Sequence, residues 1–308
     1  MSLTAFQTTC ALTIGLLLFA SLCIYLLKTW KPQHELFQKV AIIIQSWWLI
    51  AGAFLLALSW YQWGTIIFMH ILSLLVIREY LNVSKAPHKI FLMISLSILC
   101  TLQYLVLLLG SIELFLSLLP VLCLWIVAGL VIFGRTIKEI ELVTAVGIGL
   151  SLVIYYISHI AALSWLPQLH LKPDEATFAV LILILITWCN DVFQFLAGKC
   201  FGQRKIVLEI SPNKTLAGFI GGIVGTTLLA TLCIPRFLNL SLIHSIFLGI
   251  VIGITGMFGD LFFSAVKRKL GIKDFSHTLP GHGGLLDRMD SLIFTAPIYF
   301  HYLLFVKG

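Results

Sequence analysis

Ser241-Leu-Ile-His-Ser-Ile-Phe-Leu-Gly-Ile-Val-Ile-Gly-Ile-Thr-Gly-Met-Phe-Gly-Asp260-Leu-Phe-Phe-Ser264-Ala-Val266 is a run with no Lys, Arg or Glu, in which Asp260 is the sole carboxylate. Wound as an α-helix at 1.5 Å per residue it would reach about 39 Å, more than the roughly 30 Å of a bilayer's hydrocarbon core. Similar runs recur at 4–27, 40–59, 62–79, 89–109, 112–134, 139–163, 176–197, 215–234 and 291–306. The chain is 60% hydrophobic and 11% charged, whereas a soluble domain carries about 25% charged residues. The expected fold is therefore all-α: a polytopic integral membrane protein of about 9–10 transmembrane helices, with catalytic loops on the cytoplasmic side. Residues 1–170 are read as N-terminal membrane helices of unassigned role. Residues 171–308 are read as the C-terminal catalytic membrane region, the two forming one continuous membrane domain.

Charge orders the loops. Lys28, Lys31, Lys39, Arg78, Lys85, Lys89, Arg135, Lys138, Lys199, Arg204, Lys205, Lys214, Lys267, Arg268, Lys269, Lys273 and Arg288 all fall at alternate loops; Lys172, Arg236 and Lys307 alone fall opposite. Under the positive-inside rule the first set is cytoplasmic and both termini lie outside. The net charge of +7 is thus a matter of orientation and headgroup contact, and no basic helix face or aromatic platform calls for nucleic acid. The seven cysteines lack C-x-x-C spacing, so neither a disulfide framework nor a zinc site is expected. The first apolar run has no basic leader or small-residue cleavage site and reads as a retained span.

The polar segment after Val266 carries Lys267, Arg268, Lys269 and Lys273, then Gly281, Gly283 and Gly284, then Asp287 and Asp290. Such charge beside lipid calls for phosphate and a divalent cation as partners, and so for phosphoryl or nucleotidyl transfer at a membrane surface. Asp260, Ser264 and Lys267 are spaced i, i+4, i+7 and share a helix face over roughly 10 Å. Asp287 and Asp290, three apart, also converge. Asp260, Asp287 and Asp290 together supply the incomplete carboxylate cage that Mg²⁺ completes with water and phosphate oxygens, for one ion or two. Asp191, within an apolar run, is costly unless paired or wet; with Asn190 it marks a cavity, or else a helix–helix contact. Gly283 and Gly284 can present backbone N–H groups to an anion. His282 is equally a base, a phosphate donor or a structural residue. Ser211-Pro212 reads as a helix-entry turn that leaves Lys214 and Thr215 free for a phosphate at a helix N-terminus.

The segment Ser264-x-x-Lys267-Arg268, Lys273-Asp274, then His282-Gly283-Gly284-x-x-Asp287-Arg288-x-Asp290 resembles the signature of the phosphatidate cytidylyltransferases, or CDP-diacylglycerol synthases. Ser211-Pro-Asn-Lys-Thr215 with Gly218 is similar to a second stretch of that family, and Asn190-Asp191 to the polar helix end before it. The firm resemblance covers roughly the last 120 residues. It implies transfer of a cytidylyl group from CTP to phosphatidate, giving CDP-diacylglycerol and pyrophosphate, with Mg²⁺ as cofactor. It further implies a bacterial inner membrane, an active site facing the cytoplasm, membrane lipid as partner, and an architecture open to homodimerisation. Catalytic roles then fall to Asp260, Lys267, Asp287 and Asp290. Ser211, Lys214, Thr215, Ser264, Arg268, Lys273, His282, Gly283, Gly284 and Arg288 become substrate contacts. The rival readings are CTP-dependent transfer to another lipid phosphate or a polyprenol, and an ion-coupled transporter with Asp191 and Asp260 as ion sites.

Overall fold

A computed structural model describes residues 5–30, 35–84, 86–133, 137–279 and 283–308. Its helices are α1 (Ala5–Trp30), α2 (Glu35–Ser59), α3 (Tyr61–Val83), α4 (Lys89–Leu108), α5 (Ile112–Phe133), α6 (Ile137–Ile148), α7 (Ile157–Trp165), α8 (Pro173–Phe201), α9 (Leu216–Leu238), α10 (Leu242–Leu270) and α11 (Leu286–Lys307). Among the described residues, 10 stretches are long and apolar enough to cross a membrane, one for each apolar run of the sequence. The sixth is composite, because α6 passes through a π-helical stretch, Gly149–Tyr156, into α7. A Cβ on Gly149 would stand 2.8 Å from Leu96 Cδ1, so the glycine lets this widened turn lie against α4 without displacing the Leu96 side chain.

The core draws on both halves of the chain. Leu81 of α3, Leu107 of α4, Phe115 of α5, Ile160 of α7, Leu183 of α8 and Phe300 of α11 are all fully enclosed within one cluster. Helices α8, α9, α10 and α11 pack most closely, and polar side chains tie them together. Asn190 on α8 accepts from Thr226 Oγ1 on α9 at 3.1 Å and donates to Gly253 O on α10 at 3.2 Å. In lipid, where water offers no alternative partner, such inter-helix bonds fix rotation as well as separation. A Cβ on Gly222 would fall 2.8 Å from Asn190 Oδ1, so α9 can approach this clamp only as glycine.

The polar loop after α8 departs from the sequence expectation. Lys205–Val207 (β1) and Ser211–Thr215 (β2) pair antiparallel, with Lys205 opposite Thr215 and Val207 opposite Ser211. Ser211-Pro212 therefore lies in a strand and does not open the helix; α9 starts only at Leu216. In a two-stranded ribbon, proline's missing donor can face outward. Thr215 is the N-cap of α9, its Oγ1 accepting from Gly218 N at 3.1 Å. Thr215→Val is expected to lower stability by about 1 kcal/mol, and Thr215→Ser to leave it nearly unchanged. A thermal-unfolding comparison of the two purified variants checks this.

Loops that carry the basic residues meet at one end of the bundle. Arg268 Nε, at the end of α10, donates to Ile210 O of the hairpin at 3.3 Å. Ser276 of the α10–α11 loop reaches Glu79, near the end of α3.

Candidate active site

Asp260 lies nearly three turns before the end of α10. Its Oδ2 is 2.6 Å from Lys214 Nζ, and its Oδ1 accepts from Ser264 Oγ at 3.2 Å, one turn on. Lys214 stands at the end of β2, where the hairpin delivers it to the helix bundle; it also donates to Gln194 Oε1 of α8 at 2.8 Å. One ammonium thus joins hairpin, α8 and α10.

Asp290 on α11 and Asp191 on α8 complete an acidic group with Asp260, their charges acting on one another across the three helices. Asp290 Oδ1 accepts from Ser291 N at 2.7 Å. Asp191 Oδ2 receives only a long bond from Ser291 Oγ, 3.4 Å, and its Oδ1 is buried with no hydrogen-bond partner. Lys214 and Arg288 act on Asp191, and Lys267, itself paired with Asp287, acts on Asp290. An orphaned buried oxygen among like charges suits a hard cation with oxygen ligands. Among the described residues, no three His, Cys, Asp or Glu side chains are drawn around a single point. Asp191, Asp260 and Asp290 have the oxygen-donor chemistry that magnesium takes.

Asp287 behaves differently. Lys267 Nζ is 2.7 Å from Asp287 Oδ1, and the two side chains are only 12% and 2% exposed. Asp287 Oδ2 accepts from Phe275 N at 2.9 Å and from Gly284 N at 3.0 Å. Both oxygens are thus engaged in folding the α10–α11 loop and holding Lys267. The i, i+7 spacing aims Lys267 toward Asp260, but its ammonium turns instead to Asp287, 5.7 Å from the centre of the Phe275 ring. Gly283 has φ of 80°, and its carbonyl accepts from Leu279 N at 2.9 Å. The N–H that sequence reading offers to a substrate anion at Gly284 goes to Asp287.

Several residues outside the sequence expectation belong here. Glu79, only 7% exposed, receives Ser276 Oγ at 2.6 Å and Thr278 Oγ1 at 2.8 Å on one oxygen, and Leu286 N at 3.0 Å on the other. A carboxylate from α3 therefore folds the loop and meets the N-terminus of α11, where it is favoured by the unpaired helix donors. A cleft of about 420 Å³ is lined by Asp191, Gln194, Lys199, Lys205, Ser211 and Lys214, among others. Lys199 and Lys205 read in sequence only as orientation signals. Here they share a concave wall with Lys214, the kind of wall a polyphosphate fits.

The other sequence candidates disperse. Ser211 and Thr215 line the cleft, though the Thr215 hydroxyl already caps α9. Arg268 is engaged with Ile210, and Lys273 is exposed on the loop. Arg288 does not line the cleft itself: it borders an apolar cavity with its carbon chain, its Nε is buried without a partner, and its charge acts on Asp191. His282 lies outside the described residues.

Comparison with known proteins follows the same lines. The cytidylyltransferase family matches residues 39–306. An uncharacterized protein of Escherichia coli K12, YnbB, is 35% identical over 293 residues, covering 94% of this chain and 96% of that protein. A phosphatidate cytidylyltransferase of Aquifex aeolicus is 40% identical over 135 residues, 44% of this chain and 50% of that enzyme. One of Bacillus subtilis is 42% identical over 123 residues, 39% of this chain and 46% of the enzyme. The chain thus matches about half the length of these two enzymes.

Proposed function

The chain belongs to the cytidylyltransferase family, and on that premise we propose that it transfers the cytidylyl group of CTP to phosphatidate, giving CDP-diacylglycerol and pyrophosphate. The proposed setting is the cytoplasmic face of a bacterial inner membrane. The observation that carries this reading is the acidic group of Asp191, Asp260 and Asp290 set directly beside a lysine-walled cleft, with Lys214 common to both. The basic-loop asymmetry supports the orientation, since the loops that build the site are those rich in lysine and arginine.

In this reading the triphosphate of CTP lies along Lys199, Lys205 and Lys214. The phosphate monoester of the lipid is already anionic and needs no strong base. Its oxygen bonds to the α-phosphorus of CTP, the bond from that phosphorus to the β-phosphate oxygen breaks, and pyrophosphate departs with the electron pair. The residues' task is to align two anions and offset their repulsion. Lys214 exchanges its contact with Asp260 for a phosphate, and Lys267, held by Asp287, neutralises charge at the reacting centre. Asp191, Asp260 and Asp290 would hold Mg²⁺, which supplies charge neutralisation across the phosphate oxygens.

The direct test is incubation of the purified protein with CTP, Mg²⁺ and a panel of lipid phosphates, following pyrophosphate release. Phosphatidate is expected to be turned over, and Asp260→Asn to lose at least about a hundredfold in kcat, as for removal of a preorganised charge-stabilising group. Turnover of a polyprenyl phosphate with none of phosphatidate would overturn the choice of acceptor. Wild-type rates in Asp260→Asn would remove the acidic group from the chemistry.

A further inference from the structure

Lys214 Nζ, the ammonium that joins the acidic group to the cleft, has two protein acceptors: Asp260 Oδ2 at 2.6 Å and Gln194 Oε1 at 2.8 Å. Asp260 is charged and belongs to the group proposed to hold Mg²⁺. Gln194 is neutral and lies in no motif read from the sequence. It sits on α8 one turn beyond Asn190, lines the cleft, and is only 4% exposed.

This side chain has little freedom. A lysine ammonium can only donate, so the amide must turn its oxygen to Lys214 and its nitrogen away. That nitrogen is buried without a hydrogen-bond partner. From the other side α9 closes on the methylenes, for a Cβ on Gly222 would stand 2.5 Å from Gln194 Cγ. Asn190 holds the same stretch of α8 to Thr226 and Gly253. The acceptor oxygen is thus fixed by packed helices, whereas Lys214 arrives on a flexible stem from a two-stranded hairpin. A contact serving stability alone would engage both ends of a buried amide, since an unpaired buried donor is costly. Here one end goes unpaired and the other is given to a cation at the cleft.

We infer that Gln194 is a positioning residue for the nucleotide, acting through Lys214. The inference deepens the cytidylyl-transfer reading and rests on it for the identity of the ligand. When Asp260 turns to a cation, Lys214 loses its carboxylate, and the Gln194 oxygen is the acceptor that stays. It keeps the ammonium over the cleft beside Lys199 and Lys205, with its other N–H donors free for phosphate. Neutrality is the second part of the role. A carboxylate at this position would hold Lys214 equally well but cancel the charge that a triphosphate needs. The amide orients the cation and leaves its charge intact.

Two variants of the full-length protein in lipid nanodiscs test both parts. Gln194→Met keeps the length and the packing but removes the oxygen. Gln194→Glu keeps an oxygen in place and adds a charge. Binding is read by calorimetry with Mg²⁺ and a CTP analogue whose α–β bridging oxygen is a methylene, and turnover with CTP and phosphatidate. Gln194→Met is expected to weaken analogue binding and raise the KM for CTP about tenfold, with kcat down less than about threefold and the KM for phosphatidate within about twofold. Gln194→Glu is expected to weaken both further. In a Lys214→Met background the same two substitutions should change binding by less than about twofold, since the residue they act through is gone.

Wild-type analogue binding in Gln194→Met, or a loss that persists in full without Lys214, overturns the inference. So does wild-type binding in Gln194→Glu beside weak binding in Gln194→Met, the order expected of a purely structural contact. Weakened binding in variants of a protein that releases no pyrophosphate leaves the role of Gln194 standing and removes the reaction. Normal turnover with unaltered binding in both variants does the reverse.

Discussion

Asp287→Asn is expected to lower kcat by about 10²–10³-fold, the scale of losing one preorganised electrostatic group, while the magnesium concentration for half-maximal activity stays where it is. The reason is geometric. Asp287 Oδ1 holds Lys267 at 2.7 Å, and Oδ2 holds the amides of Phe275 and Gly284. An asparagine keeps the volume but has a single acceptor atom, and its amide nitrogen would confront either an ammonium or two N–H groups. Lys267 would lose its anchor and the loop one of its two clasps. Amide exchange at Phe275 and Gly284 should quicken, a readout that loss of a metal ligand alone would not give. Lys267→Met is expected to cost as much activity with unaltered exchange at Gly284, because both backbone bonds to Asp287 survive. A tenfold rise in the magnesium requirement of Asp287→Asn, with exchange unchanged, would return Asp287 to the metal site that sequence spacing alone assigns it.

What sequence could and could not show follows from the range of each interaction. The ten spans were legible because hydropathy needs no partner: each apolar run declares itself. The Asp260–Ser264 contact was legible because it is a single helical turn. Lys267 shows where that reasoning stops. Seven residues of helix predict its backbone direction, yet its flexible side chain follows the charge of Asp287, placed by a loop whose course no periodicity encodes. The hairpin was missed because β1 and β2 have 3 and 5 residues, too few for an alternating pattern, and β2 contains proline, asparagine and lysine. Lys199 and Lys205 were visible as charge but not as a wall, since the hairpin that sets Lys205 and Lys214 opposite Lys199 of α8 was itself unseen. Chain order sets Asp287 beside Asp290, whereas helix packing also brings Asp191, about 100 residues earlier, to the same acidic group.

Glu79→Ala is expected to have the largest effect on folding of any substitution at the site, although Glu79 lies on the third helix, at the edge of an apolar run and far from every motif. Its three donors come from 197, 199 and 207 residues along the chain, which is why nothing local marks it. Removing the carboxylate leaves the buried first amide of α11 without its acceptor, at about 1–3 kcal/mol, while the Ser276 and Thr278 hydroxyls, 2.7 Å apart, keep only each other and solvent. Against a total stability of about 5–15 kcal/mol that is enough to undo the loop. Glu79→Gln separates position from charge. Its oxygen can accept from Leu286 N while the two hydroxyls turn to accept from its amide, so the loop should keep its course and the protein its yield. What is lost is a negative charge at the N-terminus of α11, worth about 0.3–1 kcal/mol to a helix end. The glutamine variant should therefore fold normally and keep its KM for CTP, with kcat down about threefold to tenfold as α11 carries Asp287, Arg288 and Asp290 slightly out of line. The alanine variant should show rapid amide exchange from Ser276 to Leu286 and negligible turnover. Wild-type kcat in Glu79→Ala, with the loop still protected, would mean that the α10–α11 loop holds its shape unaided and that the contact with α3 is incidental.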